Sequence, residues 1–300
     1  KFNSQHPGLK KIKEIMLPMI FGSSVTQINM IFDTVIASFL ITGSIGWLYM
    51  SDRFVELPLA LFGISIATVM LPKLSDYFNR SNIDAYNRTL NWGLKLGILI
   101  SFPTMLGLII LSDPILITLL KYKEFTLNDV HMTSIALIAF SIGLPGMIGS
   151  KILITNYYSR KDTKYPVKAA LIAVLCNFVL NIAFVVYLVK TDFNGAHIGL
   201  AVATSLSAYV NFFFLFKNAV KTKIFNMDQD IIFYILKSVI ATIVMSAFLL
   251  YFDLSKQAWM DYELVERVMN LFLLIIFSAL IYFAFLYLFN IKPKNIKEQL

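Results

Sequence analysis

Charge is what this sequence has least of. Only 15% of its 300 residues are Asp, Glu, Lys or Arg, against about 25% in an ordinary soluble domain. It has one cysteine, Cys176, which excludes an internal disulfide and a thiolate metal cluster. Set in an apolar run, that thiol reads as a small core residue. The 13 Gly and 9 Pro are too few for a fibrous or low-complexity chain. His6, His131 and His197 are scattered and make no ligand set. No G-x-x-x-x-G-K-S/T occurs, and Gly146–Lys151 has the wrong spacing for one. These absences exclude a soluble enzyme, a disordered chain, a disulfide scaffold and an ATPase.

What is present is apolar length. Hydrophobic residues make up 58% of the chain, and mean hydropathy is +0.71. A helix needs about 20 apolar residues to cross a bilayer. Eight runs meet that need, at 15–42, 46–71, 93–111, 130–158, 167–189, 196–217, 231–252 and 268–290. Within lipid only a helix satisfies its own backbone. The fold expected is therefore an all-α polytopic membrane protein with eight transmembrane helices. Thr42-Gly43-Ser44, Asp113-Pro114, Lys164-Tyr165-Pro166 and Asn194-Gly195 supply turns. The chain opens at Lys1, not Met, as expected of a fragment or of the second half of a longer chain.

Lys and Arg set the orientation. With the N-terminal tail inside, only Arg53, Lys121, Lys123, Lys190, Lys256 and Arg267 fall on the outer side. The other 20 of the 26 basic residues lie inside, which places both ends in the cytoplasm. The net charge of +8 thus reflects inner loops, not a nucleic-acid surface. Asp113 and Pro114 start a short helix over 113–127 that does not span and is expected in the outer interface, with Asp113 as cap. Trp259 and Tyr262 suit a headgroup belt.

Polar residues within the spans carry the functional signal, because an ionisable group costs about 2.5–3.5 kcal/mol at mid-membrane on insertion scales. Arg53 lies six residues past Trp47, roughly 9 Å deeper at about 1.5 Å per residue. Asp52 and Glu56 flank it. Two readings stand: a snorkelling arginine with a local carboxylate, or an arginine facing a water-filled cavity that binds an anion. Guanidinium matches phosphate by a planar fork. Asp33 sits alone among apolar neighbours. Asn177 and Asn181 share a helix face, and Thr204 and Ser205 lie in the sixth span. This set suits either a Na⁺ or proton site or interhelical hydrogen bonding. Lys151 lies roughly 13 Å from the inner end of its span and reads either as a cavity cation or as a snorkelling one. Gly143, Pro145, Gly146 and Gly149 predict a bend or a close helix contact just before it.

Catalytic motifs are weak. Gly63-Ile64-Ser65-Ile66-Ala67 only resembles a nucleophile elbow and has no strand context. Asp228-Gln229-Asp230 resembles a glycosyltransferase metal pair, but it reads better as the cap of a helix starting at Ile231.

Three spaced blocks resemble the MurJ/MviN family of lipid II flippases. The first is Ser51-Asp52-Arg53-Phe54-Val55-Glu56-Leu57-Pro58, followed by Gly63, Ala67-Thr68 and Leu71-Pro72-Lys73-Leu74-Ser75. The second is Asp113-Pro114-Ile115, Leu119-Leu120 and Phe125-Thr126. The third is Gly143-Leu144-Pro145, Lys151, Tyr157-Tyr158-Ser159 and Asp162–Lys168. The match runs from about 15 to 217, and the last two spans match in hydropathy only.

The resemblance implies a lobe of the multidrug/oligosaccharidyl-lipid/polysaccharide exporter type. Residues 1–14 would be a cytoplasmic segment, 15–223 a six-helix C-terminal lobe, and 224–300 two further transmembrane helices and a cytoplasmic tail. The first lobe would be missing from this chain and be its partner. The implied activity is alternating-access transport of lipid II, a peptidoglycan precursor, across the bacterial cytoplasmic (inner) membrane, with no catalytic residues and no cofactor. Arg53, Asp52, Glu56 and Lys151 would face substrate. Asp33, Asn177, Asn181 and Thr204 would hold a coupling Na⁺ or H⁺, with Asn where the family has a carboxylate at 181. The extra helices would line a groove for the lipid tail, in contact with membrane lipids. A related exporter of another lipid-linked oligosaccharide, or a non-transporting membrane scaffold, is the competing expectation.

Overall fold

The computed structural model describes residues 16, 17, 20, 27–122, 124–222, 225–252 and 254–291. The 1–14 segment, its four lysines, and much of the first half of the first expected span lie outside these residues. All regular structure among the described residues is helical. A helix over 27–38, here α1, precedes α2 (Ser44–Pro58), a π-helical turn (Leu59–Ile64) and α3 (Ser65–Asn79). Next come α4 (Ile83–Ile110), α5 (Ser112–Leu120), α6 (Leu127–Ile142), α7 (Leu144–Tyr158), α8 (Lys164–Lys190) and α9 (Ile198–Lys221). The chain closes with α10 (Ile231–Leu250), α11 (Lys256–Asp261) and α12 (Leu264–Leu288).

Six helical segments are long and apolar enough to cross a membrane: Ser44–Asn79, Ile83–Ile110, Lys164–Lys190, Ile198–Lys221, Ile231–Leu250 and Leu264–Leu288. The pair α6 and α7, bent by 42°, makes a seventh if read as one broken span. The expected class therefore holds, while the count among the described residues is six or seven, not eight. Part of the first expected span lies outside them. The spans also run further than hydropathy suggests. The third begins at Ile83, where the Asn82 side chain accepts from Ala85 N at 3.1 Å, because its first turns are polar.

Two irregularities shape the bundle. Pro58 has no N–H and its ring crowds the carbonyl one turn back. The backbone after it widens into the π turn at Leu59–Ile64, which carries α2 into α3 without ending the span. The second irregularity is at Gly143. A Cβ there would lie 2.7 Å from the Ser205 Cα, and one at Gly146 would lie 3.1 Å from the Ala208 carbonyl carbon. The missing side chains let α7 meet α9 backbone to backbone, and the span breaks where that contact starts.

The core runs through α4 and α7, with Tyr86, Leu90, Ile148, Ile152 and Tyr157 fully buried. α2 packs on α6, α3 on α4 and α7, α9 on α6, α7 and α8, and α10 on α4 and α12. Two expectations at the outer end need correction. α5 starts at Ser112, so Asp113 and Pro114 lie inside its first turn and Asp113 makes no cap bond. The helix packs into the bundle, with Pro114–Thr118 buried. Trp259 does not face headgroups. It is 2% exposed and donates its indole N–H to Thr118 Oγ1 at 2.9 Å, pinning α11 over α5.

Candidate functional site

Helix α2 buries Ser44, Trp47, Leu48, Ser51, Val55 and Pro58, spaced by three and four residues. Ser51 Oγ donates to the Thr133 carbonyl at 2.7 Å, and Trp47 Nε1 donates to Asp129 Oδ1 at 2.8 Å. These bonds to α6 fix the rotation of α2. The opposite face then carries Tyr49, Arg53 and Glu56, again at spacings of four and three. Arg53 Nη1 donates to Glu56 Oε2. The Arg53 guanidinium carbon lies 4.7 Å from the centre of the Tyr49 ring. The paired side chains are 48% and 53% exposed, so the ion pair is weak and open to exchange for another anion. Asp52 is half-buried, within electrostatic range of both Arg53 and Asp33.

A second cluster joins α1, α8 and α9. The Asn181 amide donates to Asp33 Oδ1 at 2.6 Å and to Asn177 Oδ1 at 2.8 Å. The Asn177 amide donates to Thr204 Oγ1 at 3.2 Å. Asn29 reaches Asp33 Oδ2 at 3.4 Å. Asn177 and Asn181 are buried, and Asn181 Oδ1 has no hydrogen-bond partner among the described residues. That orphaned oxygen, the Asp33 carboxylate, Asn177 Oδ1 and the Thr204 hydroxyl are hard oxygen donors of the kind a small cation takes. The same bonds also act as interhelical ties. Ser205 takes no part, since its hydroxyl donates to the Ala139 carbonyl at 2.6 Å. No group of three or more His, Cys, Asp or Glu suited to a metal ion occurs among the described residues.

Lys151 is exposed on α7. No hydrogen bond or ion pair joins it to the Arg53 group among the described residues. Ser65 of the elbow-like pentapeptide donates to the Ala60 carbonyl at 3.5 Å beside the π turn and has no catalytic partner among the described residues.

Three features had not been expected from the sequence. Tyr49 seats Arg53. Asn87, Asn91 and Lys95 line one face of α4 and grip the segment before α10. An apolar groove of about 270 Å³ runs between α4, α7, α9 and α10, lined by Gly97, Phe102, Gly149, Phe212 and Ile235 among others. The polar spacing of 87, 91 and 95 was a readable signal, whereas the groove arises only from packing. Asp228 makes no cap. Helix α10 is preceded by Asp230 without a side-chain cap bond, and the Asp228 carboxylate pairs with Lys95.

The family model described as lipid II flippase MurJ matches residues 1–270. A probable lipid II flippase MurJ of Vibrio cholerae is 38% identical over 297 residues, covering 99% of this chain and 55% of that protein. One from Haemophilus influenzae is 37% identical over 295 residues, covering 96% and 56%. The chain thus spans about half the length of the curated relatives it matches. A solved lipid II flippase MurJ in an inward closed conformation superposes with a TM-score of 0.74 at 30% identity, covering 96% of this chain and 56% of that one. An outward-facing multidrug transporter of the MATE family gives 0.60 at 16% identity over 77% of this chain, which is likeness of fold alone.

Proposed function

This chain belongs to the lipid II flippase MurJ family, and from that premise we propose that it forms one half of a transporter moving lipid II from the inner to the outer leaflet of the bacterial cytoplasmic membrane. The observation that carries the reading is Arg53. It is a permanent cation in an apolar helix, held among the described residues by a neighbouring tyrosine and an exchangeable carboxylate. The diphosphate of a lipid-linked precursor is a ligand of matching charge and shape. Asp52 and Glu56 keep the guanidinium neutralised when no substrate is there. Lys151 adds a second exposed cation on α7. The apolar groove beside α10 is suited to the tail, which stays in lipid while the headgroup crosses.

Transport follows from rocking of this lobe against a second one, with the headgroup bound between them. Both ends of the chain lie in the cytoplasm on this reading, in keeping with its basic residues. The inside-negative potential favours outward movement of anionic substrate by about 2.3 kcal/mol per charge per 100 mV. Asp33, Asn177, Asn181 and Thr204 would hold Na⁺, or Asp33 a proton. A bound cation there would supply a charge whose release is tied to the packing of α1 on α8.

The test is in cells depleted of the native gene product, rescued by that product or its Arg53→Ala form at equal expression. Outer-leaflet lipid II should return only with the former. Equal rescue by both would reduce Arg53 to a structural arginine, as a scaffold requires. Failure of both would point to another lipid-linked cargo.

A further inference from the structure

Tyr49 has no part in the packing that holds α2 in place. It is 48% exposed, on the side of the helix away from α6. Its one ring contact with a cation is with Arg53, one turn on, at 4.7 Å. Arginine on an open helix face has many rotamers, and ordering it on binding costs affinity. Glu56 engages Nη1, and the Tyr49 hydroxyl lies within hydrogen-bonding reach of the same guanidinium. A planar group fixed by a ring on one face and a carboxylate at one corner presents its remaining donors in a single direction.

We propose that Tyr49 is a positioning residue whose ring holds the Arg53 guanidinium in the plane in which it receives a diphosphate, with Glu56 as the counter-ion that the diphosphate displaces. This rests on the reading of Arg53 given above. It favours a diphosphate by charge and by the number of oxygens offered to the guanidinium, since a single phosphodiester or carboxylate can also meet the fork at two points.

The experiment is a binding cycle on the purified full-length gene product in detergent. The probe is a farnesyl-diphosphate-linked disaccharide pentapeptide. Tyr49→Leu should weaken binding about two- to fivefold, the size of an exposed cation–π contact. Tyr49→Phe, which keeps the ring and loses only the hydroxyl, should fall between the wild type and Tyr49→Leu. In an Arg53→Ala background, Tyr49→Leu should add no further loss, because it acts only through the arginine. An equal loss in both backgrounds would overturn the role of Tyr49 and leave the Arg53 site standing. Wild-type affinity in Arg53→Ala itself would overturn the site, and Tyr49 with it. Should Tyr49→Leu not fold, Tyr49→Gln takes its place in the same cycle.

Discussion

Lys95 Nζ and Asp228 Oδ2 lie 2.8 Å apart, tying α4 to the segment that leads into α10. The pair does not stand alone. Asn87 Oδ1 accepts from Asn226 N at 2.9 Å, and Asn91 Oδ1 accepts from Asp228 N at 3.0 Å. The Asn91 amide donates to the Asn226 carbonyl at 2.9 Å. The Lys95 ammonium also lies 5.0 Å from the centre of the Tyr234 ring. Asn87, Asn91 and Lys95 are four apart, so they form one polar stripe on α4. That stripe seats the start of α10, from which the groove wall follows.

The two partners are unequal, since the Lys95 side chain is 6% exposed and that of Asp228 is 52%. Asp228→Asn takes the counter-charge from a buried ammonium, leaving it a neutral amide oxygen and an aromatic face, and should cost about 1–3 kcal/mol. Lys95→Met leaves a carboxylate that water still solvates, and should cost less. The double substitution should recover most of the loss. Thermal melting of the full-length gene product in detergent measures all three. A larger loss for Lys95→Met than for Asp228→Asn would contradict this assignment of the buried charge.

Gly143 and Gly46 make a matched pair for the close helix contact. A Cβ on Gly143 lies 2.7 Å from the Ser205 Cα, a backbone atom that cannot turn aside, whereas one on Gly46 meets nothing within 4 Å. Gly143→Ala should therefore destabilise by about 1–3 kcal/mol through overpacking. Gly46→Ala should be neutral or gain up to about 1 kcal/mol from helix propensity. Melting temperatures in the same detergent decide it, and loss in both would mean that α2 needs Gly46 for another reason.

Much of this molecule was legible in the sequence for a simple reason. A membrane span is a property of one segment, so hydropathy found the apolar cores of the helices, and a charge inside such a run drew attention to Arg53 and Asp33. The glycines before Lys151 foretold the bend because missing side chains have a local meaning. The rest depended on partners far apart in the chain. Lys95 looked like one more inner-loop cation, because nothing nearby announces Asp228. Trp259 looked like a belt residue, because its amphipathic ring fits either a headgroup layer or a buried Thr118. Asp228 looked like a cap, because capping is judged from adjacent residues alone. The role of Tyr49 was readable in principle, since it precedes Arg53 by four residues on an apolar helix.

His197 gives the outer end of the bundle a pH dependence. It is fully buried ahead of α9, with Nε2 2.9 Å from the Met132 carbonyl and its ring 5.2 Å from that of Trp47. Burial holds its pKa below the ordinary histidine value, and the nearby His131 adds to the effect, against the bond to Met132. The folded state thus keeps His197 neutral more strongly than the unfolded state does. Its contribution is intact above the unfolded pKa of about 6.5 and is lost as pH falls below it. Melting temperature should drop between pH 7.5 and 5, and the drop should shrink in His197→Gln. An unchanged drop would assign the effect to other groups.

The Asp33 cluster offers a direct choice between an ion site and a set of helix ties. A ligand bound only by the folded state raises stability by RT ln(1 + [L]/Kd), so a Na⁺ site must show as melting that rises with NaCl but not with KCl at equal ionic strength. Asp33→Asn removes the charge and should flatten that response. Asn181→Asp is the more telling change. The Asn181 amide now donates to Asp33 at 2.6 Å, and a second carboxylate in its place would face the first at a range where both cannot stay ionised unaided. The site must then take up a proton or a cation. If the wild type responds to Na⁺ and Asn181→Asp responds more steeply, Asp33, Asn177 and Thr204 form a working oxygen cage that one more charge improves. If only Asn181→Asp responds, the native amide has turned a cation cage into a tie between α1 and α8, and transport should then run without Na⁺. If neither responds to Na⁺ but the wild type itself gains stability as pH falls, and Asp33→Asn loses that gain, the cluster handles protons, and Asp33 is the group that carries them.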